Sequence, residues 1–213
     1  MVDSPFRPEH FARYDQAPDP EFYVEPRRVV HLDDAAIKAV GEAFRHHLPA
    51  GGEILDLMSS WRSHVPADLP LGRLIGLGLN RAEMEDNPQL DAVVIHDLNA
   101  DPALPFPDAS FDGAVVTVSV QYLTRPVEVF REVGRVLRPG AKFLVVYSNR
   151  MFPTKAVAIW QALDDNQRGQ LVGYYFRLAG VFDEPTLEEW TPPSTGYTDP
   201  VYLAWAARSI ERT

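Results

Sequence analysis

The 213-residue sequence is 46% hydrophobic and carries 30 acidic against 20 basic side chains, for a formal charge of −10. That is enough chain for one buried core and short for two full domains, and its field repels phosphate backbones, which argues against a nucleic-acid partner. With no cysteine, disulfide frameworks, thiolate metal sites and cysteine nucleophiles are excluded.

The start, Met1 to His10, lacks the apolar core of a signal peptide, and no uncharged run is long enough to span a bilayer. The expectation is a cytoplasmic protein with no membrane partner; the sequence is silent on oligomeric state. From residue 1 to about 30, five prolines alternate with Phe6, Phe11, Tyr14, Phe22 and Tyr23. This composition suits an irregular arm whose aromatics pack on the body, either covering a pocket or padding the sheet. Residues 31–213 are expected to form a single α/β domain.

Asp33 and Asp34 suit the cap and first turn of a helix with apolar positions Ile37, Val40, Phe44 and Leu48, stopped at Pro49 and Gly51-Gly52. Gly52 to Met58 then reads as the first strand of a doubly wound sheet, followed by the turn Ser59-Ser60-Trp61-Arg62-Ser63-His64. A short helical turn is expected in Val65 to Leu71, a second strand in Arg73 to Asn80, a short helix in Arg81 to Asn87 and a third strand in Asp91 to His96. A Pro- and Asp-rich loop leads to a fourth strand, Phe111 to Ser119. The apolar stripe Val129, Phe130, Val133, Val136 and Leu137 marks a helix that Pro139-Gly140 stops, before a fifth strand, Lys142 to Tyr147. A helical region from Met151 to Ala179 and two closing strands, near Thr186 to Thr191 and Val201 to Ala207, complete the chain. Strands alternating with helices predict a mostly parallel sheet of about seven strands, helices on both faces.

Leu104-Pro-Phe-Pro-Asp-Ala-Ser-Phe-Asp112, followed by Val133-Gly-Arg-Val-Leu-Arg-Pro-Gly140, resembles the class I S-adenosylmethionine-dependent methyltransferases, in particular the small-molecule type that includes quinone-biosynthesis C-methyltransferases. The resemblance spans roughly Gly52 to Asn149. It implies a Rossmann-like methyltransferase fold, S-adenosyl-L-methionine as cofactor and a small-molecule acceptor. In the family, an acid and a glycine-rich turn lie beneath the methionine part of the cofactor; here Asp56 matches the acid, while Met58, Ser60 and Arg62 replace the glycines. Ser59 and Ser60 offer hydroxyls instead. The family's ribose-binding acid falls on Gly78, so Asn80 or Glu83 is the expected substitute. Restoring an acid at Gly78 is then expected to tighten cofactor binding, unless Asn80 or Trp61 already fills that space. The adenine-contacting acid falls on Asp97, with Leu98 supplying an amide.

Each has a plainer alternative: Asp56 accepting turn amides, Asn80 capping a helix, Asp97 sitting in a turn. After the fourth strand come Ser119 and Tyr122, where methyl group and acceptor meet in the family. Tyr122 and His64 are the candidates for acceptor contact or proton removal. Arg150 and Lys155 are either contacts for an acidic acceptor or solvated cations. His46 and His47 are adjacent and diverge on a helix, so no metal site is expected. The functional expectation is a methyltransferase; the alternative is a binding protein that keeps the fold and has lost part of the cofactor site.

Overall fold

The computed structural model describes residues 5–193 and 195–210. Residues 1–4 of the expected arm, and residues 194 and 211–213 of the expected domain, lie outside the described residues. Seven strands, β1 (Glu53–Leu57), β2 (Arg73–Gly78), β3 (Ala92–Ile95), β4 (Phe111–Thr117), β5 (Leu137–Tyr147), β6 (Thr186–Glu189) and β7 (Tyr202–Ala207), form one sheet in the order β3-β2-β1-β4-β5-β7-β6. Neighbours from β3 to β5 pair in parallel, and β7 runs against both β5 and β6. The order reverses between β1 and β4, and in such sheets ligands bind beyond the strand ends at that point.

Six helices flank the sheet: α1 (Asp19–Phe22), α2 (Asp34–His47), α3 (Arg81–Glu85), α4 (Pro126–Val136), α5 (Ala158–Gln161) and α6 (Asp165–Ala179). Period-2 alternation along the strands divides the core into two layers. Leu55, Leu57, Ala114, Val116, Phe143 and Val145 pack with Phe130 and Val133 of α4 and Leu171, Tyr175 and Phe176 of α6. On the other side Ile54, Val115, Leu144 and Val146 meet Ala36, Val40, Ala43 and Phe44 of α2. Asp33 caps α2 by accepting from the Ala36 amide at 2.9 Å. Among the described residues no helix is long and apolar enough to cross a membrane.

The two sequence motifs interlock. Arg135 of the second motif donates to the Leu104 and Phe106 carbonyls at 2.9 Å each and pairs with Asp108 at 2.7 Å and Glu132 at 2.7 Å. Asp112 accepts from the Glu53 amide at 2.9 Å and pairs with Arg138 at 2.6 Å, fixing where β1 enters the sheet.

Three local expectations are corrected. Pro139-Gly140 does not separate helix from strand: β5 starts at Leu137 and passes through both, with a register shift against β4 and Gly140 at φ 82°. A glycine tolerates that irregularity, so the pair kinks the strand and the α4 stop falls earlier. Val65 to Leu71 holds a turn with no helix. The Met151 to Ala179 region breaks into α5 and α6, and Asp164 starts the second by accepting from the Gln167 amide.

The arm before α2 is fastened across the carboxyl ends of the strands. The Ala158 amide donates to the Ala12 carbonyl and the Asp15 amide to the Thr154 carbonyl, each at 2.8 Å. Lys155 is fully buried: its Nζ donates to the Ala17 carbonyl at 2.7 Å and lies 3.1 Å from Asp15 and 3.4 Å from Asp19. Asp19 also pairs with Arg13 at 2.6 Å. Lys155 is therefore neither a solvated cation nor free for a ligand, because its charge is spent on arm carboxylates. Removing one partner of a buried ion group costs about 3–5 kcal/mol, since it strands the opposite charge. Lys155→Met is expected to lower Tm and to make the arm susceptible to limited proteolysis; unchanged Tm and cleavage rate would show that the arm docks without this network.

Candidate functional site

The carboxyl ends of β1 to β4 and their exit loops surround a pocket with about 1230 Å³ of space unfilled by protein atoms, part of it open to solvent. The pocket unites the sequence candidates: Asp56, Met58, Ser59, Ser60 and His64 after or within β1; Gly78 and Asn80 by β2; Asp97 and Leu98 after β3; Ser119 and Tyr122 after β4. From the arm it gains Asp19, Tyr23, Arg27, Val29 and His31, and from the loop after β5, Phe152.

The loop after β1 has no glycine, yet Met58 sits at φ 54° and His64 at φ 56°. Positive φ disfavours side-chain-bearing residues, so such strain persists only where surrounding contacts impose it. Those contacts are present. The Ser59 amide donates to the Leu77 carbonyl at 2.9 Å, the Ser59 hydroxyl to Asp56 at 2.6 Å, and Asn87 Nδ2 to the Ser60 carbonyl and Ser63 Oγ at 2.9 Å each. The loop thereby leans onto the end of β2. A Cβ at Gly78 would fall far inside contact distance of the Ser59 carbonyl oxygen and 3.0 Å from Met84 Sδ. The idea of tightening a site by Gly78→Asp is thus overturned: backbone already fills that space.

Asn80 is committed on both amide atoms. Its Oδ1 accepts from the Glu83 amide at 3.0 Å, capping α3, and its Nδ2 donates to the Tyr23 carbonyl at 2.8 Å. Its place on the pocket wall is that of a cap and an arm anchor, the plainer of the two readings. The carboxylate at this end of the pocket belongs to Glu83, which is buried and accepts from the Arg27 amide and the Ser60 hydroxyl, each at 2.5 Å. Each carboxylate oxygen retains a further lone pair.

Asp97 spends one oxygen on a turn, accepting from the Asn99 amide at 2.9 Å and the Ala100 amide at 3.2 Å. Its other oxygen and the Leu98 amide have no protein partner among the described residues. Asn99, which sequence reasoning passed over, ties this loop to the arm and to the loop after β4: its Nδ2 donates to Asp19 at 2.7 Å and the Tyr122 carbonyl at 2.9 Å, and its Oδ1 accepts from the Thr124 amide at 2.7 Å.

After β4, Val118 is at φ 49°, a strained conformation for a β-branched residue, and the buried Thr117 hydroxyl has no partner. Ser119 Oγ donates to the Thr117 carbonyl at 3.0 Å. Tyr122 accepts at its hydroxyl from the Phe152 amide at 2.8 Å, leaving its proton to give, and burial pushes its pKa up to about 12. Burial drives the His64 imidazole down to about 4, assisted by His31 and Arg62, so His64 is neutral near pH 7. Asp56 moves the other way: burial raises its carboxyl to about 6, against the Ser59 and Ser63 hydroxyls that favour its charged form. No group of His, Asp and Glu able to hold a metal occurs among the described residues.

Residues 73–145 match the family model described as methyltransferase domain. A curated relative from Bartonella henselae, a ubiquinone/menaquinone biosynthesis C-methyltransferase, is 32% identical over 105 residues, 47% of this chain and 39% of its own length. A protein of the same name from Hahella chejuensis is 37% identical over 70 residues, 33% of this chain and 28% of its own. The chain thus spans well under half the length of these relatives. A solved structure from Thermotoga maritima, described as a SAM-dependent methyltransferase and possible histamine N-methyltransferase, superposes with a TM-score of 0.61 at 15% identity, covering 82% of this chain and 90% of that one. The fold is the Rossmann-like methyltransferase fold, and the chain resembles the class I S-adenosylmethionine-dependent enzymes.

Two outcomes follow from this geometry. Gly78→Ala forces the Ser59 carbonyl away and is expected to destabilise the protein by about 1–3 kcal/mol, read as a lower denaturant midpoint; a neutral result would mean the loop after β1 moves freely. Asp56, raised from 3.8 to about 6, binds its proton more readily folded than unfolded, so its contribution is full below pH 3.8 and is lost as pH rises through 6. His64, lowered from 6.5 to about 4, contributes with the opposite sign, its share being lost as pH falls from 6.5 to 4. Relative to Asp56→Asn, wild type should gain on the order of 2–3 kcal/mol between pH 7 and pH 4, measured by chemical denaturation. A pH-independent difference would place Asp56 in a solvated environment.

Proposed function

We propose that this chain is a methyltransferase that uses S-adenosyl-L-methionine and acts on a small-molecule acceptor, with residues 5–30 of the arm serving as cover for the pocket. The observation that carries the reading is the pair left unpartnered on the pocket wall after β3, one Asp97 oxygen and the Leu98 amide, an acceptor beside a donor. Such a pair matches the amino group and adjacent ring nitrogen on the edge of an adenine. The remaining residues fit the group as well. Asp56, with Ser59 and Ser60, lies where the methionine portion belongs, and Glu83 brings a carboxylate to the ribose end although Gly78 does not. When bound, S-adenosylmethionine supplies a methyl group on a sulfonium, open to an acceptor nucleophile.

The protein's own part is to hold, orient and exclude water. Tyr122, kept protonated by burial, donates to an acceptor oxygen or nitrogen. His64 is neutral and weakly basic, suited to accepting a hydrogen bond from an acidic acceptor proton and poorly suited to removing a tightly held one. The arm carries Tyr23 and Arg27 onto the acceptor side and limits access to small molecules. The names of the curated relatives support a small-molecule acceptor.

A second reading, a protein of this fold that binds its ligand without methyl transfer, is favoured by one observation: the Ser59 carbonyl occupies the space beside Gly78 where a strand-end acid would stand.

Calorimetric titration with S-adenosylhomocysteine tests the cofactor, and transfer of a labelled methyl group to metabolite extract separates the two readings. Asp97→Asn keeps the turn-forming oxygen and replaces the other with a donor, so binding should weaken by about 1 kcal/mol or more with Tm unchanged. Absence of heat at millimolar ligand, with folded protein, ends the methyltransferase reading; turnover of the labelled methyl group ends the second.

A further inference from the structure

Among the described residues, Arg27 lines the pocket with no ion pair and with a buried N–H group left unmet. Arg62 donates to the Trp61 carbonyl at 2.6 Å and stacks on the Trp61 ring, and Arg150, beside the pocket, donates to the His31 carbonyl at 3.2 Å. The Arg27 guanidinium instead lies 4.1 Å from the Phe22 ring centre and 5.6 Å from those of Tyr23 and Phe152. Its Nη1 is buried without a hydrogen-bond partner among the described residues. The nearest carboxylate by bonding, Glu83, is held by the Arg27 backbone amide and the Ser60 hydroxyl. Aromatic faces stabilise a guanidinium but do not accept its in-plane N–H bonds, and a buried charged donor left unmade is costly. The planar fork of an arginine matches a carboxylate with two parallel hydrogen bonds.

We propose that Arg27 forms an anion subsite on the arm side of the pocket, and that the acceptor bears a carboxylate which this guanidinium binds. The inference rests on the methyltransferase reading for the word acceptor; the anion subsite itself does not. Phe152 and Tyr122, stacked with ring centres 6.1 Å apart, come from the loops after β5 and β4. That places Arg27 beside Tyr122 and Phe152, the acceptor-side groups, with the Glu83 carboxylate held at its backbone amide. Specificity then travels with the arm, which carries this guanidinium to the pocket.

The test uses the full chain saturated with S-adenosylhomocysteine and ligand-observed NMR with a panel of aromatic carboxylates, benzoate among them, each against its primary amide. Wild type should bind the carboxylates at least tenfold more tightly than the amides. Arg27→Met, which keeps the apolar stem, should abolish that preference and leave S-adenosylhomocysteine affinity within twofold; Arg27→Lys, which keeps charge without the fork, should fall between. Equal binding of carboxylates and amides by wild type, or an undiminished preference in Arg27→Met, overturns the proposal. A tenfold or greater loss of S-adenosylhomocysteine affinity in Arg27→Met also overturns it, by assigning the guanidinium to the carboxylate of the cofactor. Should wild type bind no S-adenosylhomocysteine, the methyltransferase reading fails by itself, and the same panel on the ligand-free protein decides the anion subsite. If Arg27→Met lowers Tm, Arg27→Lys carries the comparison.

Discussion

The close approach of the Ser59 carbonyl to the bare end of β2 governs the layout of the pocket. It requires Gly78, because a Cβ there would occupy the carbonyl's space. It also sets the path of the loop, so that Met58 and His64 take positive φ and Asn87 is drawn in to satisfy the Ser60 carbonyl. From that position Ser60 reaches Glu83, and the other oxygen of Glu83 receives the Arg27 amide. One backbone contact thus passes from β1 through β2 and α3 to the arm. The absence of glycines after β1 and the glycine at the end of β2 are linked: a serine-bearing loop that leans sideways needs a neighbour without a side chain.

The arm is held by interactions that differ along its length. Near its start Phe6 and Phe11 pack against Tyr175, with ring centres 5.7 and 6.3 Å from it. In the middle, Arg13, Asp15, Asp19 and Lys155 form a charge group whose members are mostly buried. Buried charges contribute little net stability once desolvation is counted, but they tolerate only one arrangement, because any slip strands a charge. Apolar packing would allow the arm to slide; the ion group and Asn99 fix its register. Beyond Asp19 the attachments are hydrogen bonds from Asn80 to Tyr23 and Val24, from Arg27 to Glu83 and from Trp61 Nε1 to Val29 at 2.9 Å, a ring contact between Phe22 and Phe152, and a half-exposed Arg28–Asp86 ion pair at 2.5 Å. Opening of the segment between Tyr23 and Val29 costs less than opening of the whole arm, which suits a cover that must admit ligands.

The sequence revealed the sheet because each strand is an apolar run bounded by turn residues, and because the two motifs around Arg135 belong to one folded corner. Strand ends then located the pocket, since Asp56, Gly78, Asp97 and Ser119 come to one edge whenever parallel strands stand in register. What remained hidden depends on contacts distant along the chain. Asn80 reads equally well as a cap or a ligand until Tyr23, 57 positions away, takes its amide. Lys155 reads as a surface cation until the Ala17 carbonyl, 138 positions away, is placed against it. Arg27 gave no signal, as its meaning lies in the rings around it and in the partner it lacks. Pro139-Gly140 misled because a helix stop and a strand irregularity share the same residue types.

The charge pattern of the pocket is the reverse of what a net charge of −10 suggests on one side and agrees with it on the other. On the strand-end wall, neutral pH lies above the Asp56 pKa of about 6, so that carboxyl is mainly ionised, while His64 is neutral with a pKa of about 4. That wall is anionic, with Glu83 and Asp97 adding to it, and a cation such as a sulfonium or an ammonium gains by lying against it. The arm adds Arg27, whose backbone amide holds Glu83. A ligand pair with positive charge toward the sheet and negative charge toward the arm satisfies both, whereas a neutral ligand leaves the guanidinium unanswered. Wall and guanidinium become one site only with the arm docked, so the ion group around Lys155, remote in sequence from the strand ends, helps determine which molecules the pocket distinguishes.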